Sequence, residues 1–299
     1  MDKGITVALS PSHRFGQIIG DLLEEVMGPQ FEMFCSSRGL YLDKSGVRGA
    51  ARDGKKVSWL DKYGNSHDLD FVIEKGGSAN VRGRPLAFIE AAWRRYTKHS
   101  RNKAQEIQGA VLPIAEKYEW DKPFLGVILA GVFTSGSLTQ MRSSGFEVAL
   151  FPYESIVAAF ASVGIDVNFD EDTADSVFQR TIDSIEAISS DARAQWKQHL
   201  VRANQTILDQ FFSELQATLD RQIEQIILIP LHGQQSEFGA VADAIAFVTN
   251  YREDTLRDGT FRKYEIIVRY SNNDKIDASF QDKEKAVVFL RYLEEGAAS

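Results

Sequence analysis

Phe88-Ile-Glu-Ala-Ala-Trp-Arg-Arg-Tyr-Thr-Lys-His-Ser-Arg-Asn-Lys103 begins as an apolar strand, reaches a carboxylate at Glu90 and continues as a basic stretch that enters a helix. From Ala91 to Lys103 the charged residues are Arg94, Arg95, Lys98, Arg101 and Lys103, with no acid among them. Upstream, His67-Asp-Leu-Asp-Phe-Val-Ile-Glu74 reads as a second strand carrying acids. Side chains alternate along a strand, so Asp68 and Asp70 share one face and Leu69, Phe71 and Ile73 the other. Pairing of the two strands brings Asp70 beside Glu90.

Neighbouring carboxylates repel and need a compensating cation. Mg²⁺ suits them, because it takes oxygen ligands and keeps waters and phosphate oxygens in its shell. There it would polarise a scissile phosphate, activate water and stabilise the leaving oxygen. The alternative is that Asp68, Asp70 and Glu90 are surface acids on half-exposed strands. The flanking Phe71-Val-Ile and Ala87-Phe-Ile read as interior, where acids need partners.

Working outward, Arg14 to Met27 has an apolar face at helical spacing (Phe15, Ile18, Ile19, Leu22, Leu23, Val26), with Ser10-Pro-Ser12 as its cap. Leu40 to Leu42 and Val57 to Leu60 are short strands. Asp61-Lys-Tyr-Gly-Asn65 is a turn into His67–Ile73. Leu86 to Ala91 follows a glycine-rich basic connection, and a helix from Asn102 to Tyr118 carries the stripe Ala104, Ile107, Val111, Ile114, with a bend expected at Pro113. Phe124 to Phe133 is a continuous apolar strand of the kind buried on both faces. Phe146 to Phe151 is a strand and Tyr153 to Val163 a helix. The early strands look antiparallel, whereas the step through the helix to Phe124 looks like a crossover. The expected fold is therefore α/β (α+β), a mixed central sheet flanked by helices.

Beyond Asp175 the pattern changes to amphipathic helices, Asp175–Ile188 and Ala192 to about Ile226. A strand, Ile226–Leu231, follows. The hairpin Tyr264–Tyr270 and Lys275–Phe280 comes next, with a helix from Lys283. The expected partition is 1–165 as the core and 166–299 as a helical and strand–hairpin–helix addition, or an extension of the same domain. The helices offer either a homodimer surface or a layer within one monomer. A twofold dimer would set two sites on the two strands of a palindromic duplex.

The 299 residues are 43% hydrophobic and 25% charged, ordinary for a globular chain with a real core. One cysteine, Cys35, excludes an internal disulfide and a cysteine-rich zinc site. The polar start and the absence of an apolar run of about 18 residues point to a cytoplasmic protein without a membrane partner. The formal net charge of −8 argues weakly against DNA, but local patches, such as the basic run after Glu90, decide binding. The histidines (His13, His67, His99, His199, His232) lack close metal-ligand spacing. No glycine-rich phosphate loop precedes a Lys-Ser or Lys-Thr, so no nucleotide cofactor is expected.

With Asp70 in Asp70-Phe-Val-Ile, Glu90 in Ile89-Glu-Ala-Ala92 and this order of elements, residues 12 to 151 resemble the PD-(D/E)XK nuclease superfamily, the fold of many restriction endonucleases. The resemblance implies a Mg²⁺-dependent endonuclease on duplex DNA, of type II restriction character, with Mn²⁺ as a substitute ion. It implies that Asp70 and Glu90 hold the metal and that Glu24, on the helix before the meander, joins the catalytic set. The departure is Ala92, at the position of the superfamily's lysine. Three explanations compete. A basic residue reaches in from elsewhere, with Lys98 and Lys103 leading and Arg94 behind them. The protein is a non-catalytic DNA-binding or scaffolding protein on a nuclease fold. Or the alanine is an engineered replacement. The first is preferred, because Lys103 lies one helical turn before the buried Ile107 and borders the sheet-facing side. Lys103 and Glu106 read equally well as an ordinary helical ion pair.

Arg94, Arg95, His99 and Arg101 are candidate phosphate contacts, since arginine grips phosphate bidentately. Trp93 among them reads as core. Thr134-Ser-Gly-Ser-Leu-Thr-Gln-Met-Arg142 follows the buried strand as a connecting loop or a site lining. There Gln140 and Arg142 are candidate base readers.

Overall fold

The computed structural model describes residues 10–97, 100–231, 234–253 and 261–297. The chain divides into two compact units, Met1–Lys117 with Pro123–Leu215, and Tyr118–Lys122 with Gln216–Ser299. The division expected at residue 165 is thus drawn at 215, because the helices after Asp175 pack into the first unit.

That unit is built on a five-stranded sheet in the order β1-β4-β5-β6-β7. Its strands are β1 (Tyr41–Lys44), β4 (Phe71–Lys75), β5 (Arg84–Arg94), β6 (Phe124–Gly131) and β7 (Phe146–Pro152). β1, β4 and β5 pair antiparallel, and β5, β6 and β7 pair parallel. The fold is mixed α+β with flanking helices. The parallel step from β5 to β6 is the crossover through helix α2 (Ser100–Lys117). β6 is buried almost throughout, as its unbroken apolar run dictates.

Helix α1 (Pro11–Ser36) starts where the sequence places it, with the Ser10 hydroxyl accepting from the His13 N–H at 3.3 Å. It outruns the expected end at Met27. The apolar stripe continues through Phe31 and Cys35, and that burial carries the helix past Pro29. α2 likewise runs through Pro113 as one helix.

The expected meander is rearranged. His67–Ile73 is two strands, β3 (Ser66–Leu69) and β4, separated at Asp70. β3 pairs only with β2 (Val57–Leu60), as a separate two-stranded sheet. β4's antiparallel neighbour on the other side is β1. Thr134–Arg142 is not a loop. Thr134 caps helix α3 (Ser135–Ser143), its hydroxyl accepting from the Ser137 N–H at 3.2 Å.

α4 (Tyr153–Ala161), α5 (Asp175–Glu186), α6 (Ser190–Ala203) and α7 (Gln205–Leu219) complete the layer. The long helix expected to about Ile226 breaks at the buried Asn204 and ends at Leu219. The apolar faces of these helices are used inside the unit. Phe178 of α5 stacks on Phe15 and Phe169, Trp196 of α6 on Phe160, and Phe211 of α7 on Phe31 and Phe124. They form the layer within one monomer that was one of the two expectations.

A buried charge network clips the loops joining β1 to β2 and β4 to β5. Arg48 donates to Glu74 Oε2 at 2.7 Å and ion-pairs with Asp43 at 2.8 Å, and Arg52 pairs with Asp43 at 3.1 Å. Gly83 donates its N–H to Glu74 at 2.6 Å. A Cβ there would lie 2.3 Å from the Lys75 carbonyl oxygen, so only glycine fits.

The second unit is an antiparallel sheet, β11-β10-β8-β9, with helices α8 (Val241–Asn250) and α9 (Lys283–Ala297). Its strands are β8 (Ile223–Pro230), β9 (Ser236–Phe238), β10 (Tyr264–Tyr270) and β11 (Lys275–Phe280). Ile226, Leu228, Ile266 and Val268 meet Ala244, Val248, Phe289 and Leu290 in one core. The hairpin lies where the sequence places it, whereas α8 was not expected. Among the described residues, no helix is long and apolar enough to cross a membrane.

Candidate active site

β5 presents Glu90, Ala92 and Arg94 on one face by strand alternation, while Trp93 turns the other way towards Gly16 of α1. The β4–β5 register pairs Phe71 with Ile89. One step further, Asp70 stands across from Glu90. Because the chain leaves β3 at Leu69, Asp70 is outside both ladders, and its carboxylate accepts the Ala91 backbone N–H at 2.6 Å. Asp68, expected on the same face, does not join it. Asp68 bonds Lys56 and Ser58, each at 2.6 Å, on the exposed hairpin.

Glu90 is 8% exposed, and its Oε1 has no hydrogen-bond partner among the described residues. A buried carboxylate in that state is costly when ionised. Burial raises its pKa well above the ordinary glutamate range, and the charge of Asp70 raises it further. Asp70 is also raised, first by burial, against the opposing effects of the Ala91 bond and the Lys103 charge. Glu24 of α1 is pushed up to about 7, by burial and then by Asp70 and Asp21. These three acids, brought from α1, the β3–β4 junction and β5, share one field.

Lys103 supplies the opposing charge. It sits in the first turn of α2, half-buried, and its ammonium favours the ionised form of both Asp70 and Glu90. It also ion-pairs with Glu106 at 3.4 Å, and Arg94 approaches Glu106 at 3.7 Å. Ala92 is 3% exposed on the Glu90 side of the strand. The next helix thus brings a positive charge, Lys103, into the field of these acids.

Among the described residues, no group of three or more histidine, cysteine or acidic side chains is arranged to hold a metal ion by itself. Mg²⁺ needs no such cage, since one or two carboxylates with waters and phosphate oxygens suffice. Asp70 and Glu90, with the unpartnered Oε1, fit that donor set and would be the residues that hold it.

The remaining candidates separate. Arg94 and Arg95 line a groove of about 580 Å³ with the cap residue Ser10, His13 and Gln17 of α1, and Asn102 and Glu106 of α2. The α1 side of that groove was missed, although the Ser10-Pro-Ser12 cap is its sequence signal. Arg101 is exposed on the first turn of α2. Lys98 and His99 lie outside the described residues. Gln140 is not free to read bases, because it exchanges side-chain hydrogen bonds with α2, donating to Gln108 at 2.6 Å. Arg142 is exposed and lowers the pKa of Glu147 against the burial that raises it, away from the Asp70–Glu90 set.

No family model and no curated protein matches this chain. Among solved structures it is similar to the crystal structure of a protein of unknown function, AF1548, at 9% identity and a TM-score of 0.29. The match covers 63% of this chain and 99% of that one. A likeness at that level carries no inference about fold or activity.

Proposed function

We propose that this protein is a Mg²⁺-dependent endonuclease that hydrolyses phosphodiester bonds of duplex DNA, with restriction-type cleavage as the working class. The observation that carries the reading is the pair of half-buried Asp70 and buried Glu90, with Lys103 of α2 in their field. When bound, Mg²⁺ would supply Lewis-acid activation of water and of the scissile phosphate. Asp70, fixed by the Ala91 N–H, and Glu90, with an unpartnered Oε1, would be the ligands. Lys103 stands where it can hold a phosphate oxygen or orient the attacking water. Glu24, titrating near neutrality, is suited to take a proton from that water. A twofold homodimer would bring a second copy of the site to the opposite strand.

The test is cleavage of mixed-sequence plasmid with Mg²⁺ or Mn²⁺ by the wild type, Asp70→Asn and Glu90→Gln. Loss of cleavage in both variants, with DNA binding retained, supports the assignment. Wild-type rates in Asp70→Asn would remove it. Salt-sensitive binding without metal dependence or cleavage would favour a non-catalytic DNA-binding protein.

A further inference from the structure

Arg95 has no ion-pair partner among the described residues. Its guanidinium lies 4.1 Å from the Tyr96 ring centroid and 4.4 Å from that of Phe178. Its Nη1 is buried and has no hydrogen-bond partner among the described residues. The Tyr96 hydroxyl interacts with the guanidinium as well, and the ring contacts hold its plane while Nη1 stays unpartnered. Arg94, beside it, donates Nη1 to the Trp93 carbonyl at 2.9 Å and approaches the exposed Glu106 only loosely. Its Nε is also buried and unpartnered. Both arginines open on the groove shared with Ser10, His13, Gln17 and Asn102. Unmet buried donors on a positive charge are expensive unless an anion completes them. Ser10, Gln17 and Asn102 offer hydrogen-bonding side chains to a phosphate there, and the acid in the lining, Glu106, is already ion-paired with Lys103 at 3.4 Å.

We infer that this groove is a subsite for one non-scissile phosphate of the bound DNA strand, gripped by Arg94 and Arg95. The inference rests on the nuclease reading for its ligand. Arg94 lies four residues beyond Glu90 on the same strand, about 13 Å away at ~3.3 Å per residue. A phosphate held there belongs to the same strand as the one at Asp70 and Glu90 but is a different phosphate. The subsite fixes where the strand lies, so that a particular bond meets the acids.

The experiment measures binding by the full chain, with Ca²⁺ in place of Mg²⁺, to duplexes that each carry one neutral methylphosphonate at a successive position. In the wild type, one non-scissile position should weaken binding roughly 10-fold or more. Arg95→Met should lose binding with intact DNA, lower the salt slope by about 1, and show no further loss at that position. Arg95→Lys should recover most of the slope and less of the affinity. If Arg95→Met fails to fold, Arg94→Gln is read through the same scan. Equal losses at every position, or an unchanged scan in the arginine variants, would overturn the subsite, as would binding of inorganic phosphate with no effect on DNA affinity. Cleavage by Asp70→Asn alongside a positive scan would instead reject the acid assignment and leave the subsite standing.

Discussion

The backbone N–H of Ala91 donates to Oδ2 of Asp70 at 2.6 Å. That bond ties the acid at the β3–β4 junction to the strand carrying Glu90. It holds half-buried Asp70 beside buried Glu90 although their charges oppose it, and the folded protein bears the electrostatic penalty.

Glu24, Asp70 and Glu90 all have raised pKa values when folded, Glu24 to about 7 from 4.5. The folded state therefore binds protons more tightly than the unfolded chain. Their contribution is fully favourable below the unfolded pKa and is lost as pH rises through the folded pKa. In metal-free buffer, Tm should fall from pH 5 to pH 8. Glu24→Gln and Glu90→Gln should flatten that fall and melt higher than wild type at pH 8. Identical pH profiles in wild type and variants would contradict the shared acidic field.

Metal should reverse the same penalty. At pH 8, Mg²⁺ or Ca²⁺ at about 100 times its Kd should stabilise the wild type by roughly 2.7 kcal/mol. Glu90→Gln and Asp70→Asn should gain little. Calorimetric melts with and without the ion decide this, and equal gains in all three proteins would place the ion elsewhere.

Lys103 should matter to chemistry more than to binding. Lys103→Gln should lower kcat by roughly 10²- to 10³-fold, with a change of only a few fold in DNA affinity. Ala92→Lys placed in that background should restore part of the rate, because position 92 faces the same acids from β5. A lost rate with no rescue, accompanied by weakened DNA binding, would reduce Lys103 to a surface cation.

The Arg48–Glu74 pair is a stability test away from the site. Both side chains are almost fully buried, at 2% and 0% exposed. Glu74→Ala leaves Arg48 partly uncompensated and should cost roughly 3–5 kcal/mol in urea melts. Arg48→Met with Glu74→Leu should cost clearly less than the single change. Equal losses would show that the charges themselves, rather than their pairing, hold the loops.

Much of the sheet was legible because hydrophobic runs mark it. Phe124–Gly131 and the Tyr264–Phe280 hairpin are strands at the places their apolar patterns indicate. Asp70 and Glu90 were legible as neighbours from two strands that end in acids. The break between β3 and β4 was not, since Leu69-Asp-Phe keeps strand periodicity through the residue at which the chain changes sheets. Asp68 was misplaced for that reason. α3 was hidden by Ser135-Gly-Ser137, weak helix formers whose start depends on the Thr134 cap. Gln140 looked free because its partner, Gln108, is far off in sequence and meets it only when α2 and α3 pack. Lys103 was reachable from spacing alone, because its distance from Ile107 placed it on the border of the buried stripe.

Putting Lys103 on α2 and the acids on β5 and its neighbours has a consequence for the order of events during folding. A lysine at position 92 would travel with Glu90 on one strand, and the sheet alone would carry both charges. Here the sheet brings Asp70 and Glu90 together, and Lys103 joins them when the crossover helix seats against it. The balance of charge around the acids then depends on that docking step, so a partly unfolded molecule would lack it.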